Sequence, residues 1–322
     1  MSDGRTMETT WLSVIVPSHN GERWLAAALQ SVVDQKDHGI EVILIDTSAT
    51  DASLQIASSF ADRLDIRAER RLDLPTWTEK TNFGVGQARS DLICMLHQDD
   101  LWLPDRCNKL RRWLSTQPDA VMHLHSCYII DEAGRRLGLW RCPLPAGDSP
   151  VPGQILIERL LVQNFIGIPA PIIRRDAYLS VGGLDNALWY TADWDLYLKL
   201  AAIGNVYYHS TPLACFRVHK NSLTVSGSRN SLDFRSQHQM IIDRHADKVS
   251  PVSRAEILPV AAASIDVNTA LAAIMAGQLS QLSKAFVAIL MLGPRGIRRY
   301  FHYSRILDRV FPRLRSLVAG RF

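Results

Sequence analysis

The fold is decided by DLICMLHQDDLW, residues 91–102. Its apolar run, residues 92–96, is typical of a buried strand, and Pro104 begins a helical pattern. Asp99 and Asp100 therefore lie where a strand passes into a helix. In an open α/β sheet with parallel strands, this is the edge at which ligands bind.

The two adjacent carboxylates have two interpretations. Their hard oxygens suit Mg²⁺ or Mn²⁺, ions that commonly accompany phosphate groups in binding sites. Asp is also a favoured N-cap residue, so the pair could instead only begin the Pro104 helix. The rest of the chain favours the ion site.

Strands and helices alternate through the N-terminal half. The apolar spacing predicts strands at residues 12–16, 41–45, 66–70, 92–96 and 121–125, and helices at 22–35, 51–60, 78–88 and 105–115. This alternation predicts an α/β fold, with a mostly parallel sheet covered by helices on both faces.

The pattern changes near residue 126. A hairpin is expected over residues 128–139, helices over 155–163 and 193–203, and short strands at 172–173, 206–208 and 213–218. Everything beyond residue 231 has helical character. We therefore expect a main domain at residues 1–230, made of halves at 11–125 and 126–230, and a helical extension at 231–322.

Composition excludes several classes of protein. The chain has 322 residues and is 47% hydrophobic, enough to bury a substantial core. Its five cysteines are scattered without CxxC spacing, which argues against a disulfide framework or zinc site and favours a reducing cytoplasm. The polar first ten residues do not resemble a secretory signal, and no uninterrupted apolar run reaches the roughly 18 residues of a membrane span.

The positive charge is concentrated at the C-terminus. Residues 284–322 contain nine Lys and Arg against one acid, Asp308, for a net +8, although the whole chain has only +4. The Arg residues are interleaved with apolar ones, as in an amphipathic helix that lies on an anionic membrane surface. A packed helical cap, a homodimer contact and a solubilising charged face are the alternatives.

Six short motifs resemble those of the family 2 glycosyltransferases, which have the GT-A fold. Residues 12–20 are similar to the family's V-S-V-I-I-P-T-Y-N, residues 45–51 to its V-D-D-G-S-T-D, and residues 82–100 to its N-x-G-x-x-x-A-x-G-E-x-I-x-x-L-D-x-D-D. Downstream, residues 181–185, 191–196 and 216–219 resemble V-G-G-F-D, E-D-x-D-L and Y-R-x-H. Each motif is weak alone, but the six follow the family's order across residues 11–225.

The resemblance implies transfer of a single sugar from a UDP-, GDP- or dTDP-linked donor, with inversion at the anomeric carbon. It implies that residues 11–125 bind the nucleotide and residues 126–230 the acceptor. By position, the donor-binding residues are Pro17, Ser18, Asn20, Glu22, Asp46, Asn82, Asp99 and Asp100. Mn²⁺ or Mg²⁺ would bridge the donor phosphates, with Asp99 as the ligand and Asp100 and His219 as further candidate ligands.

Inverting transfer also needs a base that takes the proton of the acceptor hydroxyl. Asp193 occupies the family's base position, at the start of a predicted helix, and Asp195 is the second candidate. The helix dipole alone also favours Asp in a first helical turn. Trp189, Tyr190 and Trp194 flank Asp193 and could stack on sugar rings or pack in the core.

The chain departs from the family pattern at three positions. Thr47 replaces the second Asp of the motif that binds the nucleobase. His97 replaces the first acid of the Asp-x-Asp motif, and Ala192 replaces the Glu that precedes the catalytic base. A protein that binds nucleotide-sugars without turnover is therefore one alternative, and a nucleotidyltransferase is another. Residues 18–23 match the Gly-rich phosphate loop of the latter poorly, and the lack of G-x-G-x-x-G after the first strand disfavours a dehydrogenase.

The expected partners follow from these assignments. The sequence lacks the Gln-x-x-Arg-Trp motif of processive polymerases, which favours addition of a single sugar. We expect a nucleotide-sugar donor, a glycan or lipid-linked acceptor in surface-polysaccharide biosynthesis, and no nucleic acid. The protein is expected in the cytoplasm, peripheral to the inner face of the plasma membrane.

Overall fold

The computed structural model describes residues 9–219, 222, 231–275 and 282–318. Its first part alternates strands and helices, as the apolar spacing predicts. The elements are β1 (Leu12–Ser18), α1 (Leu25–Val33), β2 (Ile40–Asp46), α2 (Ala52–Ser58), β3 (Asp65–Arg70), α3 (Trp77–Gln87), β4 (Leu92–Met95), β5 (Leu101–Trp102) and α4 (Arg106–Thr116).

The second part of the main domain contains longer strands, and helices follow it. The main domain continues with β6 (Ala120–Ile130), β7 (Arg136–Trp140), α5 (Gly153–Val162), β8 (Ile172–Arg174), α6 (Arg175–Ser180), α7 (Ala192–Ala201) and β9 (Asn205–Arg217). The extension contains α8 (Ser231–His245), a 3₁₀ turn (Ala246–Lys248), α9 (Pro251–Met275), α10 (Leu282–Leu290), α11 (Gly293–Ser304) and α12 (Ile306–Val318).

Nine strands of the described residues form one mixed sheet, in the order β3-β2-β1-β4-β8-β6-β9-β5 with β7 paired to β6. β1 is parallel to β2 and β4, and β2 is parallel to β3, so the carboxyl ends of these four strands meet at one edge. β8 runs antiparallel to β4 and β6 and joins the two halves of the sheet. The predicted α/β class is confirmed, with the parallel pairing concentrated in the first half.

The structure differs from the sequence prediction in the second half of the sheet. β6 continues to Ile130 because its last residues pair with both β7 and β9, so residue 126 lies inside a strand and the two expected halves share one continuous sheet. The strands expected at 206–208 and 213–218 form the single strand β9, whose pairing with β6 contains register shifts. β5 and α6 are too short for apolar periodicity to predict.

Alternating residues of the central strands face two separate cores. On β1, Val14 and Val16 pack with α1, α2 and α4, whereas Ile15 packs with α3 and the larger core that contains α5 and α7. The extension joins the larger core through buried residues of α8, α9, α11 and α12, including Tyr300 and Ile306. The extension is therefore packed on the face of the sheet that also carries α5 and α7.

One helix among the described residues is long and apolar enough, by length and composition alone, to cross a membrane. It spans Pro251–Ile274, with a mean hydropathy of 1.7, and 61% of the apolar window is buried inside the protein. This helix lies within α9, which packs against α5, α8, α10 and α11. Its apolar surface is thus largely used in packing the extension.

Candidate active site

Asp99 and His219 meet at the carboxyl edge of the sheet. Asp99 lies in the turn between β4 and β5, and its Oδ2 is 2.8 Å from His219 Nε2. Burial of Asp99 favours the neutral acid, but the hydrogen bond from His219 and the nearby imidazoles outweigh it and lower the Asp99 pKa. Asp99 is therefore held as an anion beside His219.

The capping interpretation of the acidic pair is wrong, because α4 begins only at Arg106 and its N-cap position is Asp105. Asp99 and Asp100 belong instead to the preceding turn, where the Asp100 amide donates to the His97 carbonyl over 3.1 Å. The sequence correctly placed the two carboxylates after a strand, and the helix predicted at 105–115 begins one residue later, at Arg106.

Asp100 points away from Asp99 and into the protein. Its side chain is 1% exposed, and Oδ1 accepts the backbone N–H of Arg217 at 2.9 Å. Burial and the charge of Asp99 raise the Asp100 pKa well above its ordinary value, which favours the neutral acid. Oδ1 thus supports the end of β9, whereas Oδ2 is buried with no hydrogen-bond partner among the described residues. The expected role of Asp100 at the metal or the donor stays a prediction.

Arg217 ties three parts of the donor edge together. Its Nε donates to the Asp99 carbonyl at 2.7 Å, and Nη1 donates to the carbonyls of Asp131 and Glu132 in the β6–β7 turn at 2.9 and 3.0 Å. The guanidinium also lies over the Trp24 ring, which in turn packs on His219 with ring centroids 4.4 Å apart. The motif that contains Arg217 was noted in the sequence, but this linking role was missed.

The residue that replaces the family's first acid, His97, is an uncharged neighbour of Asp99. Burial is the largest influence on the His97 pKa, which is lowered despite the attraction of Asp99. The next residue, Gln98, holds the loop after β1: its Oε1 accepts the His19 amide at 2.8 Å and its Nε2 donates to the His19 carbonyl at 2.9 Å. The middle residue of this motif therefore fixes the loop that would face the nucleoside.

Pro17 and Ser18 end β1 at the same edge, next to the end of β2. Asp46, which was expected to contact the nucleobase, is 0% exposed. Its two carboxylate oxygens accept hydrogen bonds from the hydroxyl and the backbone amide of Ser48 at 2.7 and 3.0 Å. The structure therefore shows Asp46 shaping the turn after β2. It does not place the carboxylate at the open edge.

Lys80 is a residue that sequence reasoning missed at this edge. Its side chain is 3% exposed, and Nζ donates to the Ser18 carbonyl at 2.8 Å and to Thr47 Oγ1 at 2.9 Å. Burial lowers the Lys80 pKa to about 8, although the charge of Asp46 opposes this shift. The signal in the sequence was a lone Lys between buried positions of α3, which is not specific.

The other expected donor residues occupy different environments. Asn20 is exposed, has a φ of 50°, and its amide donates to Ser48 Oγ at 2.7 Å. Glu22 is also exposed and accepts the Thr50 hydroxyl at 3.3 Å. Asn82 instead organises the Gly-Gly turn before α7: its Oδ1 accepts the Leu184 amide at 3.0 Å and its Nδ2 donates to the Leu184 carbonyl at 2.8 Å. These contacts give Asn82 a structural role.

Asp193 lies in the first turn of α7 with its carboxylate 2.9 Å from the side-chain amide of Asn164. The residue is 8% exposed. Burial raises the Asp193 pKa to about 6, while hydrogen bonds from backbone amides and Asn164 limit the rise. A carboxylate with this pKa can accept a proton near neutral pH.

Asp195, the second base candidate, belongs to a buried ion network. Its Oδ1 is 2.8 Å from His245 Nε2 and 3.0 Å from Arg244, and its Oδ2 is 2.9 Å from Lys199 Nζ. Burial would raise the Asp195 pKa, but these partners lower it far below the ordinary value. A fully buried, strongly paired carboxylate is a poor proton acceptor, so these contacts favour Asp193 over Asp195 as the base, and the assignment stays a prediction.

The three aromatic residues near Asp193 differ in their surroundings. Trp194 is 2% exposed and donates to the Leu160 carbonyl at 2.8 Å, so it packs in the core. Trp189 donates to Asp233 of α8 at 2.6 Å, and Tyr190 packs against Phe234 of the same helix. Trp189 and Tyr190 thus connect the acceptor side of the site to the extension.

The donor set at Asp99 fits a divalent cation only in part. Among the described residues, no cluster of three His, Cys, Asp or Glu side chains is assembled for a metal ion. Asp99 and His219 supply one carboxylate and one imidazole, and His219 Nδ1 has no hydrogen-bond partner among the described residues. Two protein ligands suit an ion whose remaining positions are filled by phosphate and water, as Mg²⁺ sites commonly are.

Comparison with known proteins gives a match to one family model. The family model described as Glycosyl transferase family 2 matches residues 13–177. The chain belongs to this family. Among related proteins, an uncharacterized glycosyltransferase of Haemophilus influenzae is 27% identical over 237 residues, which cover 70% of this chain and 76% of the relative.

Solved structures show the same fold at low sequence identity. S. aureus TarS 1-349 in complex with UDP-GlcNAc has a TM-score of 0.59 and 15% identity, covering 97% of this chain and 93% of that chain. The mannosyltransferase PcManGT from Pyrobaculum calidifontis, in complex with GDP-Man and Mn²⁺, has a TM-score of 0.56 and 17% identity, covering 96% and 88%. This chain is a glycosyltransferase with the GT-A fold.

Proposed function

We propose that this glycosyltransferase transfers a single sugar from a nucleotide-diphosphate donor to an acceptor hydroxyl, with inversion at the anomeric carbon. The observation that carries the proposal is the contrast between two carboxylates, an anionic Asp99 and a buried Asp193 whose pKa is about 6. Carboxylates that their environments drive to different pKa values commonly divide electrostatic and proton-transfer roles.

The donor nucleoside would bind beside Pro17 and Ser18, where β1 and β2 end. TarS was solved with UDP-GlcNAc and PcManGT with GDP-Man, which supports a nucleotide-sugar as donor. Thr47, which takes the place of an acid in the family pattern, accepts a hydrogen bond from Lys80 there. Donors linked to UDP, GDP and dTDP are therefore all candidates for this site.

At the other end of the donor, Asp99 Oδ2 and His219 Nε2 would hold Mn²⁺ or Mg²⁺ together with phosphate oxygens. When bound, the ion would supply electrostatic stabilisation of the leaving diphosphate. Arg217 holds Asp99 by a hydrogen bond to its carbonyl, and the Trp24 ring packs on the ring of His219. This support keeps the carboxylate and imidazole close together before the donor binds.

On the acceptor side, Asp193 would take the proton of the attacking hydroxyl. Its burial raises the pKa close to neutrality, so the carboxylate is charged at pH 7 and still basic enough to accept a proton. Trp189 and Tyr190 would line the path of the acceptor. Removing the proton as the hydroxyl attacks allows inversion in one displacement.

The donor test uses a panel of UDP-, GDP- and dTDP-sugars with and without Mn²⁺. We expect one nucleotide class to raise the melting temperature in a Mn²⁺-dependent way and to be slowly hydrolysed. Proton NMR of the first product should show the anomer opposite to that of the donor. A retained anomer would refute inversion, stabilisation without turnover would favour a binding protein, and pyrophosphate release from a nucleoside triphosphate would favour a nucleotidyltransferase.

For the acceptor, we propose a glycan or lipid-linked glycan of surface-polysaccharide biosynthesis, reached at the inner face of the plasma membrane. The structure changes which residues would contact the membrane. Tyr300 and Ile306, two of the apolar residues interleaved with the Arg residues of the basic C-terminal segment, are buried in the core of the protein. Phe286, Val287, Leu290 and Met291, in and after α10, are instead 54–82% exposed.

Charge complementarity favours an anionic bilayer as the surface that covers these four residues. They lie in the part of the chain with a net charge of +8, next in sequence to the exposed Lys284 and Arg295. Basic groups beside exposed apolar side chains are typical of interfacial helices on anionic lipid. The protein would thus be cytoplasmic and bound to the membrane at its periphery.

Co-sedimentation with phosphatidylcholine vesicles, with and without phosphatidylglycerol, tests the membrane surface. We expect binding only with the anionic lipid, and its loss in Phe286→Ser/Met291→Ser and in Arg295→Glu. Leu232→Ser is the matched control, because Leu232 is 80% exposed but lies on α8. Unchanged binding of the α10 variants would refute the proposal, and a dimer that these variants dissociate would identify a second copy as the occupant.

A further inference from the structure

The turn after α5 connects the proposed base to the helical extension. Asn164 is its central residue, and the side-chain amide has only one favourable orientation. Its Oδ1 accepts the Ile166 amide at 3.1 Å, so Nδ2 is directed to Asp193 Oδ2 at 2.9 Å. With the amide reversed, two oxygens would face each other at Asp193.

Three side chains of the extension hold this turn from the other side. Gln163, which is 4% exposed, accepts Asn268 Nδ2 at 2.7 Å and Ser264 Oγ at 3.2 Å, both from α9. Arg309 of α12 donates to the Asn164 carbonyl at 3.3 Å and to Asn268 Oδ1 at 3.0 Å. The backbone of the turn is therefore fixed by residues more than a hundred positions away in sequence.

We propose that Asn164 and Arg309 are positioning residues for the reaction, with Arg309 and α9 fixing the turn and Asn164 orienting the Asp193 carboxylate. The inference rests on the proposed role of Asp193 as base. It assigns the extension a part in the chemistry that is separate from membrane contact. Truncation of α12 would then disturb catalysis even where the main domain remains folded.

Other ionisable groups near Asp193 do not compete with it near neutral pH. Burial and the neighbouring Asp193 raise the Tyr197 pKa well above its ordinary value, so this phenol on α7 stays neutral. Burial lowers the pKa of His238 on α8 to about 4. Asp195 stays ionised and Arg309 cationic, so among the groups named here Asp193 is the one that titrates between pH 5 and pH 8.

The direct test is a carbon-13 NMR titration of the Asp193 carboxyl in the full chain, with the signal assigned by its loss in Asp193→Asn. Because Asn164 donates to the charged form, Asn164→Ala should raise the Asp193 pKa by about one unit. Arg309→Gln should shift it in the same direction by less, and Arg309→Lys, which keeps a cationic donor, should remain close to wild type.

Arg235→Gln is the matched control, because Arg235 pairs with Asp266 between α8 and α9 but does not contact the turn. An unchanged Asp193 titration in a folded Asn164→Ala protein would overturn the proposal, as would an equal shift in Arg235→Gln and Arg309→Gln. If Asn164→Ala does not fold, the Arg309 variants decide.

Donor hydrolysis separates this inference from the proposed function. The substrate is the nucleotide-sugar of the panel that the wild type hydrolyses fastest. In Asn164→Ala, the acid limb of the pH profile of kcat should move to higher pH by the same amount as the NMR titration, with little change in KM. If Asp193→Asn hydrolyses the donor normally, the assignment of the base fails. If only the shift in Asn164→Ala is missing, the base assignment stands and the positioning role fails.

Discussion

The donor edge and the acceptor edge of this site are held by different parts of the chain. At the donor edge, Asp99 and His219 are fixed by Arg217 and by strand ends of the main domain. At the acceptor edge, Asp193 is oriented by Asn164, and Arg309 of the extension holds that turn. Strand ends, turns and side chains of the main domain thus assemble the first edge, whereas the second edge also depends on helices packed from the end of the chain.

The two edges also differ in electrostatics. Burial opposes the charge of Asp99, but the hydrogen bond from His219 and the nearby imidazoles outweigh it and keep the Asp99 pKa low. Asp193 is buried, which raises its pKa to about 6, although hydrogen bonds from backbone amides and Asn164 limit the rise. A fixed negative charge suits cation binding, and an exchangeable proton suits a base.

The sharpest test of the comparison is Asp193→Asn. We expect sugar transfer or donor hydrolysis to fall by about 10³-fold, because the amide cannot accept the proton. Mn²⁺-dependent thermal stabilisation by the donor should stay within error of wild type, since the donor edge is intact. Normal turnover would remove Asp193 from the mechanism.

At the donor edge, Asp99→Ala should show the reverse pattern. We expect the affinity for Mn²⁺ to fall by at least about 100-fold, because a direct ligand of the ion is lost. Isothermal titration with Mn²⁺ and the preferred nucleotide measures this loss. Asp105→Asn, an exposed carboxylate that pairs with Lys109, is the matched control. Full Mn²⁺-dependent hydrolysis in Asp99→Ala would refute the metal assignment.

Asp195→Asn separates structural from catalytic carboxylates within α7. We expect it to lower the free energy of unfolding by about 3 kcal/mol at pH 7, because it leaves the buried His245 and its basic neighbours without a counter-charge. The low Asp195 pKa means that this contribution exists above the unfolded-state pKa and disappears in acid. Urea unfolding at pH 7 and at about pH 2 measures it, because the contribution is lost only well below the unfolded-state pKa. A variant as stable as wild type at pH 7 would contradict the network.

Asp193→Asn should have the opposite effect on stability. Because the folded-state pKa of Asp193 is raised to about 6, ionisation opposes folding above the unfolded-state pKa, and the full cost is present above pH 6. The variant should therefore gain up to about 3 kcal/mol at pH 8 and nothing near pH 4. Thermal unfolding across this range checks the sign, and equal stability at pH 8 would mean that Asp193 is well solvated.

The donor edge was largely predictable because its residues follow strands that neighbour each other in the sheet. The run at 92–96 and the strand at 12–16 give apolar patterns that place Ser18 and Asp99 at the same edge. The sequence cannot show which of the two adjacent carboxylates accepts the hydrogen bond at the end of β9, and the structure shows that it is Asp100. That choice depends on Arg217, which reaches the turn from 117 residues away in the chain.

The acceptor edge could be predicted only in part. The motif around Asp193 marked the base, but Asp195 has the same residue type in the same helical turn. The packing of α8 distinguishes them by bringing Arg244 and His245 to Asp195, which also pairs with Lys199 of its own helix. Asn164 lay in no motif, and nothing local in the sequence connects it with Arg309.

The contact between Asp99 and His219 joins residues 120 positions apart, so it can form only late in folding during synthesis. In a chain emerging from the ribosome, β1 to β4 are synthesised long before β9 and the following His219. Until then, the acidic turn lacks the residues that hold it. A circular permutant that begins with β9 would reverse this order and would show whether late completion of the edge limits folding.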